Sequence, residues 1–369
     1  MKVKALDTGL EGGLEVVSLA TGSDGRIYGG LTGLKGHLLC EYDPGTGAVR
    51  DLGDKVVSAN EVYKRDGTPY TQKIHHALDT LPDGRLAGGT GQNYGYGAVH
   101  KKISEDEGGH VFVYDPKTEQ GRDLGVPVPH MWIIATCTSP DGSQLFGMTY
   151  FHNDFFAVDL RTGDVLFADQ VHGACWGDSA CSHTIVCDRE GIVYGSCSEG
   201  CIFTYDSNKR ELTETDVRLP GEGARRIDAL MLGENGMVYG GVWENGIVFS
   251  LEPRTLKLRE LCRPVDGPRL PALVWRDGCI YGCAGGGPQY GTRGAILFEC
   301  DPTASKHREV GPIRDEQSGI EGQRVHAMTV GRDGTIYAGE TGAVREPRKQ
   351  DHSGDIEAGM HPYLYIIDV

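Results

Sequence analysis

The chain has 369 residues, 55 of them glycine, and a net charge of −16. An acidic balance of that size argues against nucleic acid or an anionic membrane surface as the main partner, although one basic pocket on such a surface can still take an anionic ligand. The opening MKVKALDTGL holds no apolar core of signal-peptide length, no run approaches a membrane span, and the eleven cysteines form no paired framework, so a reducing, cytoplasmic location is expected.

Residues KVKALDTG read as a lone strand. A repeat follows, with copies starting at Asp24, Asp83, Asp141, Glu190, Asn235, Asp277 and Asp333. They read DGRIYGG, DGRLAGG, DGSQLFG, EGIVYGS, NGMVYGG, DGCIYGC and DGTIYAG: a tight turn, then an apolar strand. Most continue into a partner strand such as HLLCEYDP, HVFVYDP, CIFTYD or AILFECDP, and the early copies add AVRDLG or QGRDLG. A period of about forty to sixty residues with several short strands per copy is the signature of a propeller blade. The expectation is an all-β, seven-bladed β-propeller forming one domain over 1–369. The last copy ends on its third strand, LYIIDV, so the N-terminal strand is expected to complete that blade and seal the ring.

In a blade with inner strand A and outer strand D, the A–B and C–D turns share one face. They are short and uniform here. The D–A and B–C connections share the other face and are long, as in DKVVSANEVYKRDGTPYTQK, TGQNYGYGAVHKKISEDEGG and TGAVREPRKQDHSGDIEAGMHP. Long, irregular loops on a rigid scaffold are where binding residues concentrate, which points to a pocket at that mouth of the channel.

Seven residues before each Asp-Gly step lies the start of strand A at this mouth. Its occupants are Val17, His76, Ile134, His183, Asp228, Leu270 and His326. At roughly 51° per blade, from dividing a sevenfold circle, His76, His183 and His326 approach threefold spacing about the axis. Three imidazoles with Asp228 suit a divalent metal such as Mn, Ca or Zn. His75 competes with His76 for the inward position. The slot admits three readings: a metal site, a metal-free catalytic or binding role, and a structural one.

Basic residues flank the slot. Arg226 and Arg324 lie two positions before it, on the same strand face, and Lys73 lies three before His76. Guanidinium forks suit a carboxylate or phosphate, or can pair with loop carboxylates such as Glu222 and Glu321. His130 opens copy three and Tyr150 ends its second strand. Tyr94, Tyr96 and Tyr290 sit on Gly-rich B–C loops, where rings stack on sugars or simply pack. His37 and His110 share one GH step, which favours a structural role for both. Cys175, Cys181 and Cys187 lack zinc-site spacing, and GGGPQYG reads as a flexible turn.

The run KIHHALDTLPDGRLAGGTG, then GGHVFVYDPKTEQGRDLG and TSPDGSQLFGMTY, resembles the propeller polysaccharide lyases of the ulvan-lyase type and, more distantly, oligogalacturonate lyase. The likeness covers the blade grammar over most of the chain and is most specific over copies two and three. It implies cleavage of a uronate-containing oligosaccharide by β-elimination. His76, His130 or Tyr150 would carry protons, Arg226 or Arg324 would face the carboxylate, and Lys73, Tyr94 and Tyr290 would bind substrate. The expected partner is thus a small molecule or oligosaccharide. The competing readings are another axial-metal propeller enzyme, such as a lactone-opening lyase or a hydrolase, and a non-enzymatic protein-binding propeller.

Overall fold

A computed structural model describes residues 1–10, 13–34, 37–53, 55–56, 71–93, 107–150, 152–171, 182–197, 199–285, 293–341 and 362–369. The strands form seven antiparallel sheets, one per repeat, and the protein is an all-β, seven-bladed propeller. Strands A to D of blade one are Gly13–Thr21, Ile27–Leu34, Leu39–Tyr42 and Val49–Gly53. Blade two has Leu78–Thr80, Leu86–Gly89, Val111–Asp115 and Gln120–Gly125, and blade three has Trp132–Thr138, Gln144–Tyr150, Asp154–Asp159 and Val165–Gln170. Blade four has Val186–Cys187, Ile192–Ser196, Cys201–Asp206 and Glu211–Arg218, and blade five has Ile227–Leu232, Val238–Val242, Val248–Glu252 and Lys257–Cys262. Blade six has Ala272–Arg276, Cys279–Ala284, Ile296–Asp301 and Lys306–Pro312. Blade seven takes Val325–Val330, Ile336–Glu340 and Tyr363–Asp368 from the C-terminal repeat and Lys2–Asp7 from the N-terminus. Lys2 pairs with Asp368 and Asp7 with Tyr363, which is the expected ring closure.

The repeated phrase has a physical cause at each position. The aspartate of the first turn accepts the Arg26 N–H at 3.1 Å through Oδ1 and the Tyr28 hydroxyl at 2.8 Å through Oδ2. In blade four the acceptor comes from two residues earlier, Tyr194 donating to Asp188 Oδ2 at 2.8 Å, and in blade five the direction reverses, Asn235 Nδ2 donating to the Tyr239 hydroxyl at 2.8 Å. The next residue in the first turn, Gly25, has φ 85°, a region that favours glycine. The glycine after the strand's aromatic residue makes room for a ring: Gly147, after Phe146, faces Phe156 across the ladder, and a Cβ there would stand 2.1 Å from the ring edge. Gly195 with Phe203, Gly240 with Phe249 and Gly282 with Phe298 repeat the pairing. The second glycine receives the next blade, as where Gly339 lies against Val16 and joins blade seven to blade one. Outer strands are charged and exposed, as Gln120–Gly125 and Glu211–Arg218 show, while the buried apolar residues lie within and between blades.

One stretch departs from its reading as loop. Thr71–Lys73 is a strand that pairs with the end of Ile27–Leu34 on one side and with Gly91–Asn93 on the other, strapping blade one to blade two. The shared GH step is structural: His37 Nδ1 meets Asp51 and His110 Nδ1 meets Asp123, each on the adjacent D strand. Nine described cysteines are free.

Two expectations follow. Gly147→Ala forces the Phe156 ring to move and lowers stability by about 1–3 kcal/mol, measurable by chemical denaturation. Burial pulls the His110 imidazole down, but Asp123 and Glu107 outweigh it and raise the pKa from 6.5 to about 9. The stabilisation is therefore full below pH 6.5 and lost as pH rises through about 9. His110→Gln should lower the melting temperature at pH 6 and leave it little changed at pH 10.

Candidate active site on the propeller axis

The inner strands deliver their slot residues by a shared irregularity. In blades one, three, five and seven the ladder skips the slot residue, Val17, Ile134, Asp228 and His326 in turn, and blade one skips Leu14 as well. A bulge of this kind re-aims a side chain that regular alternation would send elsewhere. His76, with φ 45°, His183 and Leu270 lie just ahead of the paired segments of their strands. Main-chain bonds tie these entries together: His76 N donates to Val17 O at 3.2 Å, Thr136 N to His76 O at 3.1 Å and His183 N to Ile227 O at 3.0 Å.

Four imidazoles converge there. One ring nitrogen from each of His75, His76, His183 and His326 lies within 4.8 Å of the others. The His75 ring stands 4.4 Å from that of His76, 5.1 Å from that of His326 and 5.6 Å from that of His183. Both members of the adjacent pair therefore face the site. Burial is the main reason all four stay neutral: it pushes His75, His183 and His326 well below 6.5 and His76 down to about 3. Nearby cations add to this. Arg324 and Lys73 act on His75 and His76, Arg226 acts on His183, and Arg269 acts on His76, His183 and His326.

Behind the imidazoles lies a buried ion pair. Arg269 is 1% exposed, Asp228 is 0% exposed, and Arg269 Nε donates to Asp228 Oδ2 at 2.9 Å. Leu270 N donates to the same oxygen at 2.7 Å. The Arg269 guanidinium lies over Trp243 at 3.3 Å from the ring centroid, the Arg226 guanidinium lies 3.7 Å from the same centroid, and His183 meets the Trp243 ring at 4.5 Å.

Asp228, expected among the metal ligands, is not in the histidine group. Its Oδ2 is spent on Arg269 and Leu270, and its Oδ1 is 3.7 Å from His183 Nδ1, so it acts behind the imidazoles. His76, His183 and His326 meet as the slot alignment anticipates. Arg226, Arg324 and Lys73 surround them, with Arg226 also paired to Glu244 at 3.4 Å. His130 is exposed at the entry to blade three, with φ 66°, and is not part of the group. Tyr150 ends strand B of that blade and stacks on Trp132 at 6.2 Å. Tyr94, Tyr96 and Tyr290 lie outside the described residues.

Sequence reasoning missed Arg269 and Trp243. Arg269 precedes its slot by one residue, which in a regular strand points away from the axis. A φ of 79° turns the chain there. Trp243 follows the strand VYGGV at the loop-rich face, an aromatic position that carried no distinct signal.

The donor set can be tested against a metal. His75 Nδ1 lies 3.1 Å from the Ile134 carbonyl, so that nitrogen carries the proton and Nε2 keeps a lone pair. His76 Nε2 is buried with no hydrogen-bond partner among the described residues. His183 Nδ1 is buried with no hydrogen-bond partner among the described residues and lies 3.7 Å from Asp228 Oδ1. These neutral imidazoles fit a borderline ion such as Zn and suit Ca poorly, which prefers oxygen.

No family model matches the sequence, and no curated protein matches it. Solved structures do. A catalytically inactive virginiamycin B lyase from Staphylococcus aureus, with quinupristin, has a TM-score of 0.67 at 10% identity and covers 100% of this chain and 99% of its own. The extracellular domain of a putative one-component system from B. thetaiotaomicron has a TM-score of 0.61 at 12% identity over 99% of this chain. This chain spans 40% of the length of that protein. At such identities the likeness is one of fold, and it agrees with the propeller.

Asp228→Ala should cost about 3–5 kcal/mol, because it strands a buried guanidinium. Asp228→Asn, which keeps an acceptor for Leu270 N, should cost less. Urea denaturation of the two variants measures the difference.

Proposed function

We propose that the protein is a lyase that cleaves a uronate-containing oligosaccharide by β-elimination at the loop-rich mouth, with His75, His76 and His183 holding a divalent metal ion. The observation that carries the reading is the convergence of four neutral imidazoles on the axis, three buried and His76 half-buried, with Arg226, Arg269, Arg324 and Lys73 around them. Imidazoles kept neutral by burial offer lone pairs at any ordinary pH, which a metal needs and a pH switch does not.

Elimination beside a carboxylate has three demands. The carboxylate must be neutralised, so that the adjacent C–H becomes acidic. Arg226 and Arg324 would hold it, since a guanidinium forks onto two carboxylate oxygens. A bound ion supplies Lewis-acid stabilisation of the charge that develops on those oxygens. His130 and Tyr150, at the entry and exit of blade three on the same face, would move the protons. One removes the C5 proton, its electron pair forms the C4–C5 double bond as the C4–O bond breaks, and the other protonates the departing oxygen.

A second reading shares this chemistry with a different substrate. One propeller that aligns over 100% of this chain, at 10% identity, is named virginiamycin B lyase, which supports a lyase acting on a substrate other than a uronate.

Elemental analysis of the purified protein should find near one equivalent of metal, lost in His183→Ala with the fold retained. Incubation with uronate oligosaccharides should give an ultraviolet-absorbing unsaturated product, and the His183→Ala variant should give none. Metal with no such product on any uronate would move the assignment to the second reading. Absence of metal under every loading condition would sink the metal-assisted form of both.

A further inference from the structure

The four imidazoles are not equivalent. Arg269 Nη2 lies 2.9 Å from His326 Nε2. A guanidinium is always protonated and can only donate, so His326 Nε2 must present its lone pair. A neutral imidazole has one lone pair and one N–H, so the His326 proton sits on Nδ1. That nitrogen is buried and has no hydrogen-bond partner among the described residues.

We propose that His326 is not a metal ligand. Arg269 locks it as the Nδ1–H tautomer, and it serves as a neutral hydrogen-bond donor to an oxygen of an anionic or carbonyl substrate. The lock is rigid because Arg269 has little freedom. Its Nε is tied to Asp228, its guanidinium is stacked on Trp243, it is 1% exposed, and its backbone sits at φ 79°. For His326 to ligate an ion through either nitrogen, the ring must turn over or the Arg269 bond must break, leaving a buried donor unmet. His75 has the opposite arrangement: its Nδ1–H is satisfied by the Ile134 carbonyl, and Nε2 is left as a lone pair.

A neutral imidazole N–H stabilises charge developing on oxygen without giving up its proton, and it is fixed before substrate arrives. His326 then contacts the substrate oxygen as a catalytic donor, and Arg269 is a positioning residue. Only the identity of that oxygen rests on the proposed lyase reading; the tautomer does not.

The first test is long-range 1H–15N correlation on protein with 15N-labelled histidine rings, in the metal-free state, with His326 assigned by difference from His326→Asn. The expected pattern is a protonated Nδ1 and an acceptor Nε2, giving way to a mixed or reversed tautomer in Arg269→Met. A protonated Nε2 in the unsubstituted protein overturns the proposal, whether or not any variant folds poorly. The second test is zinc binding. His326→Asn keeps an N–H close to the Nδ1 position, so it should bind zinc at the unsubstituted stoichiometry, whereas His183→Ala should not. Zinc lost from His326→Asn with its fold intact would make His326 a ligand and overturn the proposal. If the unsubstituted protein binds no zinc, the metal reading above fails while the tautomer is still decided by the ring correlations. With an active substrate, His326→Ala should lower kcat by about 10²-fold or more, the scale of losing one such donor.

Discussion

At the slot position of its inner strand, each blade has a residue that the ladder does not pair. In four blades this residue sits at a register shift inside the strand, and in the other three it lies ahead of the paired segment. A regular strand would alternate its side chains between the two faces of the blade sheet and leave the mouth with whatever that parity supplied. In those four blades the skipped residue breaks the parity, and in the other three the slot residue precedes the ladder and is not bound by it. Blades facing one another across the channel can then bring side chains to a common point, and the histidine cluster is the outcome.

Gathering four imidazoles and a guanidinium away from water is costly. An ionised Arg269 is tolerable only because Asp228 neutralises it, Trp243 covers its face and His326 accepts from it. Such pairs do little for net stability, yet they fix geometry, since each group has one arrangement that satisfies its partners. The blades bear the cost. Their cores are filled by rings laid across glycines, as Phe156 lies across Gly147, and by close approach between neighbours, as at Gly339 and Val16. The scaffold is stable through packing that recurs from blade to blade, and this leaves one end of the channel to polar residues that would weaken a smaller fold.

Much of the fold was legible because its causes are local and recur. An Asp-Gly turn needs a side-chain acceptor and a positive φ, and a glycine facing an aromatic needs an empty Cβ; both can be read residue by residue. The slot alignment found His76, His183 and His326 because equivalent positions in a ring share one radius and one height. It placed Asp228 at the same slot but could not tell that its carboxylate is claimed by Arg269, a residue 41 positions away. Arg269 escaped notice because strand parity assigned it to the wrong side, and nothing in RLPALV marks the left-handed φ. Lys73 was read as part of a loop because the strand it ends, Thr71–Lys73, has too few residues to show a period.

The sequence by itself determined the number of blades, the closure of the last one by the first residues, the face that carries the long loops and the presence of imidazoles at its centre. Each of these follows from a repeat, and a repeat translates into symmetry without knowledge of individual contacts. The tertiary structure alone decided that His75 joins the cluster, that Asp228 stands behind it and that Arg269 bonds to His326. These depend on single departures from the repeat, namely a bulge, a left-handed residue and a carboxylate turned toward a partner from the next blade. Such departures are set by which buried groups can satisfy one another once the ring has closed.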